Sequence, residues 1–275
     1  MLEEIKGHVK ALFDDGKISA FLGLKDLDGN VVPHLFEKPE EIENGFTLGA
    51  REEGPPDRYP LAKLLLTLVS NYSDQTFGIL LRGCDERALN ELVRWNQIAG
   101  VDERIIRVGF ACKQELAQAH ECRKPFPDSL VAGDKAEAVE SAKVNEVNAK
   151  DLNGRLEFWL GEFERCIKCY GCRNVCPVCF CNVCSLEEDS LIPTGEMPPE
   201  NPMFHLTRAV HMAGRCVDCN MCSEACPADI PLRTLYKKVA QIVKDEFGYV
   251  TGEAGDGKSP LNLLGGEPGH TSADE

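Results

Sequence analysis

Eleven of the chain's fourteen cysteines fall between Cys166 and Cys226, and their spacing is the strongest chemical signal in the 275 residues. Cys166-x2-Cys169-x2-Cys172-x3-Cys176-Pro177 is followed by a repeat of the same pattern, Cys216-x2-Cys219-x2-Cys222-x3-Cys226-Pro227. Two-residue gaps let one turn of backbone aim three sulfurs at a single iron–sulfur cubane. The fourth cysteine of such a run reaches across to the neighbouring cluster. The spacing therefore predicts a crossed assignment. Cys166, Cys169, Cys172 and Cys226 hold one 4Fe-4S cluster; Cys216, Cys219, Cys222 and Cys176 hold the other.

Three more thiols, Cys179, Cys181 and Cys184, follow the first motif and are surplus to two clusters. Three ligands this close point to a third cluster closed by a distant cysteine, hence about twelve irons per chain. Cys84 and Cys112 are the favoured candidates for that fourth ligand. Cys122, ten residues beyond Cys112, is the less favoured. The competing metal is zinc, whose structural sites also use C-x2-C pairs, but four regular cysteines plus proline, twice, fit zinc's two-plus-two pattern poorly. His205 and His211 lie six apart, share no helix face and read as packing or surface residues.

The elements that must position these thiols divide near residue 150. Residues 1–150 read as an α/β domain with a small, partly parallel sheet. Leu2, Ile5, Val9, Leu12 and Phe13 have helical spacing. Ile18 to Lys25 and Val31 to Phe36 read as strands around an Asp26–Asn30 turn, residues 37–60 as loop and Leu61 to Tyr72 as a helix. Thr76 to Arg82, Asp85 to Ile98 and Arg104 to Phe110 form a β-α-β crossover. Cys84 and Cys112 then fall just past the carboxyl ends of two strands, the edge where open α/β sheets bind ligands. Residues 113–122 read as helical and 129–150 as a connecting segment. Residues 151–250 read as an α-helical dicluster domain of ferredoxin type, with helices at Leu152–Arg165, Asn201–Ala213 and Pro231–Phe247. A flexible tail is expected over 251–275, where Gly and Pro are frequent.

Composition narrows the partners. The net charge is −15, with 45 acidic against 30 basic residues. No basic stripe exists, which argues against nucleic acid and anionic membrane. No run approaches the roughly 18 apolar residues of a membrane span. The acidic start, Met1 to Lys6, is unlike a signal peptide. So many cysteines without one point to metal in a reducing cytosol.

FERCIKCYGCRNVCPVCFCNVC (Phe163 to Cys184) and FHLTRAVHMAGRCVDCNMCSEACPADIPLRTL (Phe204 to Leu235) resemble beta subunits of formate dehydrogenases and of deazaflavin-coenzyme-reducing hydrogenases. GILLRGCDERAL (Gly78 to Leu89) and IIRVGFAC (Ile105 to Cys112) sit where that family has a glycine-cysteine turn and a second strand ending in cysteine. The resemblance covers residues 15–250. It implies an iron–sulfur relay, in some members with FAD, in an anaerobe's cytoplasm. The relay would link a catalytic formate dehydrogenase or hydrogenase subunit to a soluble carrier or a heterodisulfide-reductase-type partner. The turn reads Arg82-Gly83-Cys84 where many members carry proline before the cysteine, and no extra N-terminal cysteine cluster is present.

Three functions compete. The leading one is a non-catalytic electron-transfer subunit, because no general acid-base pair or activated nucleophile is apparent. The alternative is a subunit in which FAD exchanges hydride with a deazaflavin or nicotinamide coenzyme. The third is a zinc-bearing interaction module without redox function.

Overall fold

A computed structural model describes residues 1–51, 56–98, 100, 102–190, 192, 201–253, 255 and 257–263. Helix α1 (Leu2–Asp14) leads into the hairpin of β1 (Ala20–Leu27) and β2 (Asn30–Phe36), then α2 (Pro39–Glu43), β3 (Phe46–Thr47) and α3 (Leu61–Asn71). The crossover is β4 (Phe77–Leu81), α4 (Gly83–Arg94) and β5 (Ile105–Phe110), followed by α5 (Gln114–Ala119) and β6 (Leu130–Ala132). The remainder is helical: α6 (Ala142–Asn148), α7 (Leu152–Glu164), the single turn α8 (Gly171–Asn174), α9 (Asn201–His211), the single turn α10 (Met221–Glu224) and α11 (Leu232–Phe247).

The strands form one mixed sheet in the order β2-β1-β4-β5-β6, with β3 also pairing with β1. β1, β4, β5 and β6 run parallel, whereas β2 and β3 lie antiparallel to β1. β4 is buried along its whole length, as its unbroken FGILL run predicts for a central parallel strand. Phe21, Phe36 and Phe46 interlock on the hairpin side, with Phe21 and Phe46 edge to face at 5.8 Å. Burying such a ring contributes about 1.5–3 kcal/mol.

Three segments differ from the sequence reading. The stretch 37–60 contains α2 and β3, and the connecting stretch 129–150 contains the edge strand β6 and helix α6. Both strands are too short for period-two alternation to register, so only pairing with a neighbour defines them. The tail from 251, expected to be flexible, is anchored at Thr251 and Ser259, which are buried, while Gly255, Gly257 and Lys258 are exposed. The cause is Glu91 of α4, a fully buried carboxylate. It accepts hydrogen bonds from the Tyr249 hydroxyl at 2.6 Å and the Gly252 N–H at 2.7 Å, and pairs with Arg94 at 2.8 Å. Residues 264–275 lie outside the described residues.

The apolar core does not stop at residue 150. A single buried cluster joins Ile5 and Val9 of α1 and the sheet to Cys172, Cys176, Val217 and Tyr236. Among the described residues no helix is long and apolar enough to cross a membrane.

Candidate iron–sulfur centres

The two cysteine motifs fold alike. Lys168 and Tyr170 in the first, and Asp218 and Asn220 in the second, take left-handed backbone conformations at matching positions. Each motif then enters a single helical turn, α8 or α10. Left-handed geometry costs a non-glycine residue about 1–2 kcal/mol, so both turns are held by their surroundings. The reversals fold each C-x2-C-x2-C run around a cavity.

These cavities gather the cysteines in crossed sets. One, of about 330 Å³, is lined by Cys166, Cys169, Cys172 and Cys226. Another, of about 350 Å³, is lined by Cys176, Cys216, Cys219 and Cys222. A third of like size, about 360 Å³, is lined by Cys84, Cys112 and Cys122 together with Cys219. The remaining thiols, Cys179, Cys181 and Cys184, line a wider groove of about 1430 Å³.

Cys84 and Cys112 sit past the carboxyl ends of β4 and β5, at the expected sheet edge. They are not brought to Cys179, Cys181 and Cys184, as expected for a fourth ligand. They meet Cys122 instead, because the segment after α5 folds back over the strand ends. The Pro125 carbonyl accepts from Cys112 N–H at 2.8 Å, and Glu86 accepts from Ser129 N–H at 2.9 Å and from Asp128 N–H. Gly83 permits this closure: a Cβ there would lie 2.6 Å from the Lys124 and Phe126 carbonyl oxygens. The same edge abuts the second motif. Arg58 donates to the Cys219 carbonyl at 2.7 Å and to Cys84 Sγ at 3.3 Å, and Arg87 donates to the Val217 carbonyl at 2.9 Å.

Burial sets the electrostatics. It pushes the Cys112 and Cys222 thiols up to about 12 and Cys216 to about 11, and raises Cys84, Cys172 and Cys219 as well. Such thiols ionise at neutral pH only if positive charge enters the cavity with them. Several arginines are correspondingly buried here. Arg58, Arg82 and Arg233 line the Cys84 cavity, and Arg208 and Arg233 line the Cys176 cavity. In an acidic chain, burying cations beside cysteines makes sense if the cysteines are thiolates.

Unpartnered donors test whether an iron–sulfur cluster fits. The Tyr236 hydroxyl lines the Cys176 cavity, and the His205 ring lines the Cys166 cavity. Both are buried, and neither the hydroxyl nor either ring nitrogen has a hydrogen-bond partner. Buried donors left unmade cost about 1–3 kcal/mol each, and cluster sulfur accepts such bonds. Zinc fits less well: it needs its ligands around one point at about 2.0–2.3 Å. Among the described residues no three Cys, His, Asp or Glu side chains converge so. A cubane spreads its thiolates over separate corners. The residues therefore fit 4Fe-4S clusters in the two four-cysteine cavities.

His205, Tyr236, the buried arginines and Cys122's place in the site had no signal in spacing. His205 stacks on Phe163 at 4.4 Å, which is packing, as its sequence context suggested. Its position on a cysteine cavity emerges only from the crossing of α7 and α9.

A mixed α/β sheet with cysteines at its strand ends is joined here to a doubled cysteine motif. No protein-family model matches the chain. The chain is 35% identical over 133 residues to the F420-dependent formate dehydrogenase subunit beta of Methanocaldococcus jannaschii, a match covering 47% of this chain and 35% of that protein. It is 42% identical over 113 residues to the F420-dependent formate dehydrogenase 1 subunit beta of Methanococcus maripaludis, covering 41% and 28% respectively. Over these stretches the chain is similar to formate dehydrogenase beta subunits, and the matches span about a third of the length of these curated relatives.

Proposed function

We propose that the chain is an iron–sulfur electron-transfer subunit of a multisubunit oxidoreductase. It would relay electrons between a catalytic formate dehydrogenase or hydrogenase subunit and a soluble carrier or heterodisulfide-reductase-type partner. The observation that carries this reading is the crossed pair of four-cysteine cavities. Cys166, Cys169, Cys172 and Cys226 hold one cluster; Cys176, Cys216, Cys219 and Cys222 hold the second. Two three-cysteine sets, Cys84 with Cys112 and Cys122, and Cys179 with Cys181 and Cys184, are candidates for two more. Such clusters supply reversible one-electron steps when bound.

The chain's own residues do the rest. Val178, Met212 and Val217 wall the Cys176 cavity with apolar surface and keep water out. Tyr236 and His205 offer hydrogen bonds to sulfur. Arg58 and Arg208 offset thiolate charge. The Cys176 cavity occupies the junction: it shares Asp218, Cys219 and Arg233 with the Cys84 cavity, and Arg208 and Met212 with the open groove. Short steps between neighbouring centres follow from that sharing.

Partner binding has its own support. Leu152, Leu156 and Leu160 recur at helical spacing on α7 and are exposed, as are Leu206 and Val210 on α9. Exposed apolar patches on paired helices mark interaction surfaces, here for the catalytic subunit. The test is anaerobic reconstitution with iron, sulfide and flavin quantitation. Clusters at all four cysteine sets give about sixteen irons per chain, and twelve would leave one three-cysteine set empty. Fewer than eight irons, or zinc instead, would sink the relay reading. Bound FAD, with turnover of formate, hydrogen or reduced nicotinamide by the chain alone, would replace it with a flavin enzyme.

A further inference from the structure

The two crossing cysteines, Cys176 and Cys226, sit in the same kind of turn with different neighbours. Each is followed by proline. The N–H three residues on donates back to the cysteine carbonyl, from Cys179 to Cys176 at 3.3 Å and from Asp229 to Cys226 at 3.2 Å. The first motif thus carries a second thiol, Cys179, where its twin carries Asp229. We propose that Cys176 and Cys179 form a reversible disulfide in the chain that has not received its clusters, and that this bond and the cluster of the Cys216 cavity exclude one another. The inference rests on the iron–sulfur reading above, which makes Cys176 a ligand, and adds a modification site to it.

The turn brings the partners into range. Its end Cα atoms lie within about 7 Å in a four-residue turn, and a disulfide spans about 4.4–6.8 Å between Cα atoms. Pro177 suits the second turn position, where its fixed φ is required and no N–H is needed. The side chains meet as well: the Cys176 thiol hydrogen-bonds to Cys179. Their access differs. Cys176 is buried on a closed cavity, whereas Cys179 lines the groove of about 1430 Å³. Arg208 donates to Cys179 Sγ at 3.3 Å and to the Cys172 carbonyl at 2.8 Å, so it fixes this thiol beside the first motif and supplies positive charge to an attacking sulfur. The other groove thiols have partners of their own. Arg215 Nη1 lies 3.8 Å from Cys181 Sγ, and Arg173 hydrogen-bonds Cys184.

The oxidant is a small disulfide entering the groove. The Cys179 thiolate attacks one of its sulfurs, breaks the S–S bond and expels a thiolate. Cys176 then attacks the Cys179 sulfur of the mixed disulfide and expels the second thiolate, which takes the Cys176 proton. The two protein thiols lose two electrons, and the small disulfide gains them. A thiol reductant runs the same steps backwards. Cys176 in this bond has no thiolate to give iron, and Cys176 on iron has none to give Cys179. Cys226, beside Asp229, has no such exit.

The test uses the full chain, stripped of iron under nitrogen, treated with oxidised glutathione, then alkylated, digested and mapped by mass spectrometry. The expected product is an internal disulfide joining Cys176 to Cys179, with Cys226 alkylated. The same treatment of the reconstituted chain should give severalfold less of it. In urea, where only spacing acts, Cys181 and Cys184 should share the pairing. Cys179→Ser should leave Cys176 open to alkylation. If Cys179 pairs with Cys181 or Cys184 in buffer, or the maps in buffer and urea agree, the fold does not select this pair and the proposal fails. Equal yields with and without clusters would overturn the exclusion. A chain that takes up at least about eight irons yet forms no such bond when stripped keeps the relay and removes the disulfide. The bond in a chain that takes up fewer keeps the disulfide and overturns the relay, and the exclusion with it.

Discussion

The closed four-cysteine cavities and the three-cysteine groove solve the same charge problem differently. In the Cys176 cavity burial raises Cys216 to about 11 and Cys222 to about 12. In the groove Cys181 is exposed, and a hydrogen bond from Cys176, with Arg208 beside it, lowers the Cys179 thiol. Arg208 lines both the Cys176 cavity and the groove, and Arg173, Arg215 and Lys63 add charge on the groove side alone.

The sharpest way to break this comparison is at the crossed cysteines. Cys176→Ser should remove about four irons and the signal of the Cys216 cavity, leaving the Cys166 cavity intact. Cys226→Ser should do the reverse. If either substitution removes the cluster of its own motif, the crossing is wrong.

A smaller effect tests what joins the halves. Arg58→Met removes the bonds to the Cys219 carbonyl and Cys84, and the ion pair with Glu224 at 3.2 Å. Glu224 is partly exposed and can recover water, so the loss should be about 2–3 kcal/mol, read as a lower denaturant midpoint. An unchanged midpoint would mean that Arg58 does not tie the sheet edge to the second motif.

Tyr249→Phe probes the packed tail. Glu91 keeps Arg94 and the Gly252 N–H but loses the hydroxyl, so stability should fall by about 1–2 kcal/mol with iron content unchanged. Equal thermal midpoints for variant and parent would show that the tail is not held through this carboxylate.

The mildest effect is on pH. Burial, with Arg208 nearby, lowers His205 to about 4, so it is neutral when folded. The unfolded chain, with an ordinary value near 6.5, binds the proton first as pH falls. The stabilisation is therefore whole above about 6.5 and is lost as pH drops towards 4. His205→Phe should flatten the denaturant midpoint between pH 6.5 and 5 relative to the parent. Parallel curves would remove His205 as the cause.

Much of the parallel sheet and the grouping of the motif cysteines were legible in the chain. The run Thr76–Arg82 and the periodic α4 announce the crossover, and Cys84 and Cys112 fall where strand ends must be. The short pieces were not legible. β6 pairs with β5 through three residues, and α6 follows a stretch with weak periodicity, so both depend on neighbours for definition. The tail misled because its glycines suggest freedom. Gly252 is instead pressed against Arg87 at positive φ, in a place only glycine fills without strain.

The sequence by itself determined which thiols form the two repeated motifs, since a two-residue gap constrains neighbouring sulfurs through the backbone alone. Only the tertiary structure decided where the isolated cysteines meet. Cys84, Cys112 and Cys122 are brought together by strand ends and a returning loop, contacts set by packing and by Glu86, Arg58 and Gly83. The same holds for the arginine beside each groove thiol. Arg208 and Arg215 lie 29 and 34 residues from their cysteines in the chain, and no local spacing encodes a contact that depends on α9 and the turn after it packing beside the first motif.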